Sequence, residues 1–371
     1  MSILLLIAAG LALGAAQTFV GTDTDGNLSL VPSPGKDIII NGTSFRALRE
    51  QVSTLAARLE ACTAAAATPE WALRALDGLR TDGIYAVGGN PAFTNNECLF
   101  LGSSYAAPYW KTMTPMPIER HSPGIVCHEH DVFVFGGHTS QAESLSWSGR
   151  YNALSNAWET LAPLPTGRYT PQAGQIGDWV YVVGGWTQAN ERYSLSLKTW
   201  DTGLASMPRN LEFFGAAVAN NTLFTFGGRV SKGNTYFDEV YQYFPPPIDS
   251  WVPRQPMPRR QTCGAETATV NGQEFIYVTA GYNGVILDSV DRYDPLSDTW
   301  TTLGTMGAVR TGAAVVFASP YLYVIGGVMT PTGPSVAAVE RFDTRQSNIT
   351  WEVLPQMPTA RVHLAACVLQ Y

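Results

Sequence analysis

Short apolar runs that end in two glycines recur along the chain. Residues 180–186 read VYVVGGW, and related runs occupy 84–90, 132–138, 223–229, 276–282 and 322–328, with Ala280 in place of the first glycine in the fifth run. The apolar residues of each run fit a β-strand, and the glycines predict a turn that needs positive φ or close backbone approach. The six runs lie about 43 to 53 residues apart, and a period in this range indicates a repeat architecture.

Two further features keep step with the glycines. A tryptophan follows each turn, and a proline-rich step then leads to an arginine. The tryptophans are Trp110, Trp158, Trp200, Trp251, Trp300 and Trp351, and the arginines are Arg120, Arg168, Arg209, Arg260, Arg310 and Arg361. Each unit therefore contains four short strands, the number in one propeller blade.

The coordinated double glycine, tyrosine and tryptophan resemble the kelch repeat over roughly residues 81–371. The resemblance implies an all-β fold, a six-bladed kelch-type β-propeller. The first copy lacks an arginine-led inner strand before it, whereas the chain ends in such a strand at 361–371. We therefore expect the C-terminal strand to complete the first blade, which leaves no open sheet edge between the first and last blades.

The N-terminal part is a different kind of sequence. Residues 1–16 form an apolar run that ends in small residues, which predicts a secretory signal peptide. A buried helix or a membrane anchor is the alternative, although the run is short for a membrane span. Residues 17–44 are expected to form an extended segment. Four sequons are compatible with a secreted, extracellular glycoprotein: Asn27, Asn41, Asn220 and Asn348.

Residues 45–62 show a heptad pattern, which predicts a short coiled-coil helix. Its apolar seam consists of Phe45, Leu48, Val52, Leu55, Leu59 and Cys62. We expect this stalk to form a homo-oligomer, a dimer or a trimer, and a seam cysteine allows an intermolecular disulfide. The alternative is a helix that lies against the propeller flank. Residues 63–80 then serve as a linker into the propeller at 81–371.

Composition restricts the kinds of partner and cofactor that we expect. The net charge of −7, without a basic run, argues against nucleic-acid binding. The cysteines show no metal-binding spacing, so neither a metal nor a cofactor is expected. Cys127, Cys263 and Cys367 fall in predicted inner strands, where we expect small buried thiols.

The resemblance also implies where a ligand binds, because in a kelch-type blade two sets of loops rim one opening of the disc, the mouth. One set follows the double glycines and the other leads to the inner strands. Aromatic and arginine side chains at this opening suit an acidic or carbohydrate ligand. The candidate ligand-binding residues are Asn90, His138, Trp186, Arg229, Tyr282, Arg120, His121, Arg168, Tyr169, Arg260, Arg310 and Arg361. Alternatively, the repeated arginines bond backbone groups between blades.

We therefore expect a recognition module that binds an extracellular glycan or protein and is multivalent through the stalk. The alternative is a sugar-modifying enzyme, because some six-bladed kelch proteins are sialic acid mutarotases in which an acid and an arginine in the mouth handle a sugar carboxylate. Glu119, Glu212 and Glu239 are the candidate acids. HExxH, GxSxG and phosphate-loop motifs are absent from the sequence, which favours binding over catalysis.

Overall fold

The computed structural model describes residues 83–101, 107–141, 143–230, 235–259, 262–346 and 348–369, and the backbone of 19–22, 28–31, 39–40 and 43–44. The chain divides into two compact units, residues 1–80 and 81–371. In the first unit, β1 (Phe19–Thr22) pairs with β2 (Leu28–Val31), and β3 (Ile39–Ile40) pairs with β4 (Thr43–Ser44). The signal peptide, the stalk seam from Phe45 to Cys62, the linker, Asn27 and Asn41 lie outside the described residues and stay predictions.

The second unit contains six antiparallel sheets of four strands each, which are the blades of the propeller. The strands of blades 1 to 3 are given from the innermost to the outermost. Blade 1 consists of β30 (Ala365–Leu369), β5 (Gly83–Val87), β6 (Asn96–Phe100) and β7 (Tyr109–Thr112). Blade 2 consists of β8 (Gly124–His128), β9 (Asp131–Phe135), β10 (Ser148–Asn152) and β11 (Ala157–Thr160). Blade 3 consists of β12 (Gln172–Ile176), β13 (Trp179–Val183), β14 (Asn190–Ser194) and β15 (Trp200–Asp201).

The remaining three blades follow in the same order. Blade 4 consists of β16 (Gly215–Ala219), β17 (Thr222–Phe226), β20 (Val240–Phe244) and β21 (Ser250–Arg254), with a small hairpin of β18 (Arg229–Val230) and β19 (Thr235–Tyr236). Blade 5 consists of β22 (Thr262–Val270), β23 (Gln273–Tyr282), β24 (Ser289–Asp294) and β25 (Thr299–Thr305). Blade 6 consists of β26 (Ala314–Ala318), β27 (Tyr321–Ile325), β28 (Val339–Asp343) and β29 (Glu352–Leu354).

The C-terminal strand closes the ring, as the sequence predicts. β30 pairs with β5 in a register that runs from Ala365 opposite Val87 to Leu369 opposite Gly83. The six inner strands contact one another in the cyclic order β30, β8, β12, β16, β22 and β26, and back to β30. Blade 1 therefore combines the last strand of the chain with three early ones, and β30 covers what would otherwise be an open edge of β5.

Neighbouring blades are held together by apolar packing and by the repeated tryptophans. Each of the six hydrophobic clusters contains buried residues from two adjacent blades. The indole N–H of each repeat tryptophan donates to a backbone carbonyl at or shortly after the end of the outer strand of the preceding blade, at 2.9 to 3.0 Å. The pairs are Trp110 with Pro355, Trp158 with Thr114, Trp200 with Ala162, Trp251 with Ala205, Trp300 with Gln255 and Trp351 with Thr305.

The inner strands also carry a disulfide, which corrects the expectation of buried thiols there. Cys127 of β8 is bonded to Cys367 of β30, across 240 residues of sequence. The bond joins blade 2 to the C-terminal strand and so locks the closure covalently. Cys263 is a free thiol, as expected, and burial raises its pKa to about 12. Among the described residues, no helix has the length and apolar character needed to cross a membrane.

Candidate functional site

Four of the repeated arginines are buried inside the blades. Arg120, Arg168, Arg310 and Arg361 are at most 1 % exposed. Each donates from its guanidinium to the carbonyl oxygen of the first glycine in a nearby pair, and these glycines are Gly136, Gly184, Gly326 and Gly88. The arginine therefore fixes the turn that the double glycine makes.

Three of these arginines also form buried ion pairs. Arg168 lies 2.7 Å from Glu191, Arg310 lies 2.8 Å from Glu340, and Arg361 lies 2.8 Å from Glu97. In blade 2 the guanidinium of Arg120 instead lies over the Trp147 ring, 4.0 Å from its centre.

This placement corrects the prediction that Arg120, Arg168, Arg310 and Arg361 contact a ligand at the mouth. A buried guanidinium that is already bonded to a backbone carbonyl belongs to the framework. These four arginines instead fit the alternative expectation, that the repeated arginines bond backbone groups. Arg260 lies outside the described residues.

The repeated arginine is absent from the corresponding positions of blades 4 and 5, which are Leu211 and Gln261. Each step to an inner strand begins with a buried Met or Leu, and the arginine normally lies four residues later, as from Met116 to Arg120. Counting from Met207 gives Leu211, which is buried instead. Arg209 lies two residues too early and pairs with Glu239 at 2.7 Å.

The two predicted sets of loops do meet at one end of the disc. The residue five positions after the buried Met or Leu pairs with the residue that follows the double glycine. Such pairs are His121 with His138, Glu212 with Arg229, Thr262 with Tyr282, Thr311 with Val328, and Val362 with Asn90. The residues that follow the glycines therefore lie at this end of the disc, where the His138 side chain is buried at 2 % exposure.

An aromatic row, which we define as His121, His138, Tyr169 and Trp186, crosses blades 2 and 3 at this mouth. The rings of Tyr169 and Trp186 stack with centroids 3.8 Å apart and planes within 2°. His138 stacks on Tyr169 at 3.6 Å, and His121 lies 3.5 Å from His138. Trp186 ends the row, has a φ of 67° and is 44 % exposed, so it offers an aromatic surface to solvent.

Glu212 joins the end of this row to Arg229. The indole N–H of Trp186 donates to Oε2 of Glu212 at 2.5 Å, and Nε of Arg229 lies 2.9 Å from Oε1 of the same carboxylate. The Glu212 side chain is only 3 % exposed, whereas that of Arg229 is 31 % exposed. One buried carboxylate thus holds an aromatic surface and a cation side by side at the mouth.

Phe213 and His363 complete the mouth, and the sequence did not single them out. The Arg229 guanidinium lies 5.1 Å from the centre of the Phe213 ring, which in turn lies 5.1 Å from His363. Both residues lie one position beyond the paired column, and both have positive φ, 51° and 57°. Phe213 lies six residues after the buried Met207, and His363 lies six residues after the buried Met357. This spacing is the feature of the sequence that could have identified them.

The histidines of the mouth are held neutral. The pKa of His138 is lowered to about 4, mainly by burial and to a smaller extent by the neighbouring His121. Burial, followed by His121, His138 and Arg229, lowers the pKa of His363 to about 3. Burial lowers the pKa of His121 as well. Arg229 is therefore not surrounded by imidazolium charges near pH 7.

Next to the aromatic row a cavity of about 940 Å³ opens along the propeller axis, and we call it the cup. Of the candidate residues, Asn90, Arg229 and Tyr282 line it, together with Phe213 and His363. The aromatic row lies outside the lining of the cup. The mouth thus has two parts, the row over blades 2 and 3 and the cup over the central axis, and Arg229 lies where they meet.

Comparison with known proteins agrees with this architecture. The kelch motif matches residues 119–165, 261–307 and 310–358, which belong to blades 2, 5 and 6. The chain is a six-bladed β-propeller with kelch motifs. The structure titled "Structure of YjhT" matches with a TM-score of 0.60 at 14 % identity, over 73 % of this chain and 94 % of that one, which shows the fold alone.

Curated relatives of the kelch propeller are distant. Kelch-like protein 35 of Mus musculus is 26 % identical over 63 % of this chain and 39 % of its own length. Kelch-like protein terF of Aspergillus terreus is 27 % identical over 48 % of this chain and 40 % of its own. Beta-scruin of Limulus polyphemus is 25 % identical over 40 % of this chain and 17 % of its own. The match spans about two fifths or less of each relative.

The three candidate acids lie in different surroundings in the propeller. Glu212 lies at the mouth beside Arg229, as described. Glu119 accepts hydrogen bonds from the exposed Ser140. Glu239 is held by the Nε and Nη2 donors of Arg209, at 2.8 and 2.7 Å. Only Glu212 is therefore both close to the candidate ligand-binding residues and shielded from solvent.

The described sequons differ from the mouth residues in position and exposure. Asn220 and Asn348 are both exposed. Asn220 lies in the turn between β16 and β17, and Asn348 lies between β28 and β29. These turns are at the end of the disc opposite the mouth, so a glycan at either position would leave the mouth accessible. Whether the sequons are used stays a prediction.

Proposed function

We propose that this kelch propeller is a recognition module that binds a carboxylate-bearing segment of a protein partner at its mouth. By analogy with the kelch proteins that it resembles, the propeller suggests a protein-binding module, whereas the function itself has to be argued from the site. The ligand would lie on the exposed surface of Trp186 and place its carboxylate on Arg229. An acidic glycan offers the same two features, a face that stacks on an aromatic ring and a carboxylate, and is the second ligand class to test.

One observation carries this proposal, the connection of Trp186 and Arg229 through Glu212. Because Glu212 accepts a hydrogen bond from Trp186 and forms an ion pair with Arg229, the two side chains are held near each other before a ligand arrives, and less side-chain entropy is lost on binding. A guanidinium has five N–H donors in a planar fork that matches a carboxylate. The Arg229 side chain remains about one third exposed, so a ligand can reach it.

The test is binding of the full chain to a displayed library of acidic, neutral and basic peptides, and to an array of carboxylated glycans with matched neutral ones. We expect acidic members to bind. Arg229→Gln should weaken that binding about 10-fold or more, the usual effect of losing a hydrogen bond to a charged group. Trp186→Ala should also weaken it, because the stacking surface is lost.

Two matched variants control for charge and for exposed apolar surface. Arg345→Gln removes an exposed cation from the end of β28, away from the mouth. Leu197→Ala truncates an exposed side chain between β14 and β15. Neither should change binding. Loss of binding with these controls but not with Arg229→Gln would refute the mouth as the binding surface.

A sugar-modifying enzyme is the second candidate function, and the proximity of Glu212 and Arg229 favours it. Both carboxylate oxygens of Glu212 already have partners, Trp186 and Arg229, so its geometry suits orientation of a ligand more than proton transfer. We therefore rank binding first. A sialic acid anomerisation assay decides between them: faster anomerisation with the full chain, abolished by Glu212→Gln, would support the enzyme.

We also propose that the protein is exported and that its stalk, residues 45–62, joins several propellers. The Cys127–Cys367 disulfide supports export, because disulfides persist in oxidising compartments. Joined propellers would gain avidity for a repetitive surface, on the order of 100-fold or more where the geometry permits. Light scattering on the full chain and on Cys62→Ser tests the oligomer. A monomer at high micromolar concentration would exclude it.

A further inference from the structure

The deepest lining residues of the six blades form the floor of the cup. The member from blade 5 lies one residue deeper than the others, because Glu266 pairs with Tyr277, whereas Ala216 of blade 4 pairs with Thr225. Every blade contributes lining residues to the cup, from its inner strand or from the segment that leads to it. In each blade the last lining residue lies nine positions after the buried Met or Leu that begins this segment. The floor ring consists of Ile125, Ala173, Ala216, Glu266, Val315 and Ala366. Five of these side chains are apolar and one is a carboxyl group.

Glu266 lies deep in this cup. It follows Thr262, the mouth residue of the same strand, by four residues, a distance of about 13 Å along a β-strand. Its Oε1 accepts a hydrogen bond from the backbone N–H of Thr267 at 3.1 Å. Arg229 is the other residue of the Asp, Glu, Lys and Arg types among the lining residues, and it lies at the mouth.

We propose that the floor of the cup binds a primary ammonium group at the end of an aliphatic chain, as in a lysine side chain or an alkylamine, through the Glu266 carboxylate. This site is separate from the aromatic row and Arg229. It does not depend on the function proposed for them.

The shape and composition of the floor favour this ligand class. Five apolar side chains suit methylene groups, which gain from leaving water. An ammonium is a compact donor that a single carboxylate oxygen can accept, whereas a guanidinium binds a carboxylate best through both oxygens. One oxygen of Glu266 already faces Thr267. Among the described residues, no group of three potential ligands is arranged to hold a metal ion.

The protonation of the cup agrees with this assignment. Burial raises the pKa of Glu266 to about 8, so the empty cup holds a neutral acid at pH 7. The other titratable lining groups are Cys263, Tyr282, His363 and Arg229. The Cys263 thiol and the His363 imidazole are both neutral at this pH. Arg229 is paired with Glu212, so no lining group offers an uncompensated positive charge that would repel an ammonium.

Binding should therefore release a proton. The ammonium ion enters with its charge, the Glu266 carboxyl group gives up its proton to the buffer, and the carboxylate pairs with the ammonium. The number of protons released is measured by titration calorimetry of the full chain with n-butylamine at pH 7, in two buffers of different ionisation enthalpy. We expect close to one proton per bound amine, and a Kd on the order of millimolar for so small a ligand.

Three probes and three variants make the test specific. n-Butylamine should bind at least about 10-fold more tightly than 1-butanol and than n-butylguanidinium, because only the ammonium provides a compact charged donor. Glu266→Gln should weaken amine binding at least about 10-fold and abolish proton release, while Glu266→Asp should lie between it and the natural protein. Glu352→Gln removes an exposed carboxylate on β29 and should change nothing.

The outcomes are decisive in both directions. Equal amine affinity in the natural protein and Glu266→Gln would overturn the proposal, as would binding of n-butylamine without proton release. Absence of amine binding at high millimolar concentration would overturn it too. If Glu266→Gln fails to fold, proton release by the natural protein and the affinity of Glu266→Asp still decide.

Discussion

Removal of the Cys127–Cys367 disulfide should lower the stability of the propeller without preventing its folding. Replacing both cysteines by serine leaves the β30–β5 pairing in place, so blade 1 can still form. What is lost is the covalent link between the C-terminal strand and blade 2. The unfolded chain then regains the conformational freedom that the cross-link had removed.

The magnitude follows from the length of the closed loop. A separation of 240 residues corresponds to about 18 cal/mol/K of chain entropy, or about 5.5 kcal/mol at 25 °C. The unfolding entropy of a unit spanning residues 81–371 is about 600 cal/mol/K near 60 °C. The melting temperature should therefore fall by about 9 °C.

Scanning calorimetry of the full chain measures this change. Reductant should lower the melting temperature of the natural protein toward that of the double serine variant. It should leave the variant itself unchanged, which controls for effects of the reductant elsewhere. A double variant that melts within about 1 °C of the oxidised natural protein would refute the covalent lock, because a cross-link over so long a loop cannot be without effect in the chain-entropy account.

Three further predictions follow from the framework and the mouth. Truncation before 361–371 removes β30, so soluble expression should collapse; a soluble monomer with unchanged melting temperature would contradict the closure. Arg168→Ala leaves the buried Glu191 unpaired and should cost about 3 to 5 kcal/mol in chemical denaturation. A second change, Glu191→Met, should relieve only the part due to the unpaired carboxylate, because the carbonyls of Gly184 and Ala189 still lack their donor. His138 is neutral in the fold with a pKa of about 4 but titrates near 6.5 when unfolded, so the unfolded state binds more protons between these values and stability should fall as pH drops from 6.5 to 4. Between pH 6.5 and 4.5 the natural protein should lose on the order of 2 kcal/mol more than His138→Gln, and equal losses would contradict the assignment.

The architecture could be predicted from the sequence because every repeat contains the residues that a single blade needs to form. The double glycine, the tryptophan and the strand pattern recur in register, and each has a repeated partner in the structure. Trp158, for example, bonds the carbonyl of Thr114 in the same way that Trp200 bonds that of Ala162. Ring closure followed from the unpaired inner strand at 361–371. Both predictions depend on local residue patterns and on the number of strands, and six copies of the same pattern support them more strongly than one copy would.

The chemistry of the mouth was harder to predict because it depends on contacts between blades. A repeated Arg can be a ligand contact or a framework clamp, and only the placement of its partner decides. For Arg361 that partner is Glu97, 264 residues away. The Cys127–Cys367 pair was missed for the same reason, since nothing local to either cysteine identifies the other. The equivalence of Glu212 with His121 becomes visible only when the count starts from the buried Met rather than from the arginine.

The most direct test of the mouth as the recognition surface is the crystal structure of the full chain with the tightest-binding acidic ligand from the peptide or glycan screen. The account predicts a ligand carboxylate within hydrogen-bond distance of the Arg229 guanidinium and an apolar face of the ligand against Trp186. A ligand bound on the outer strands or at the opposite end of the disc, with Trp186 and Arg229 untouched, would contradict it.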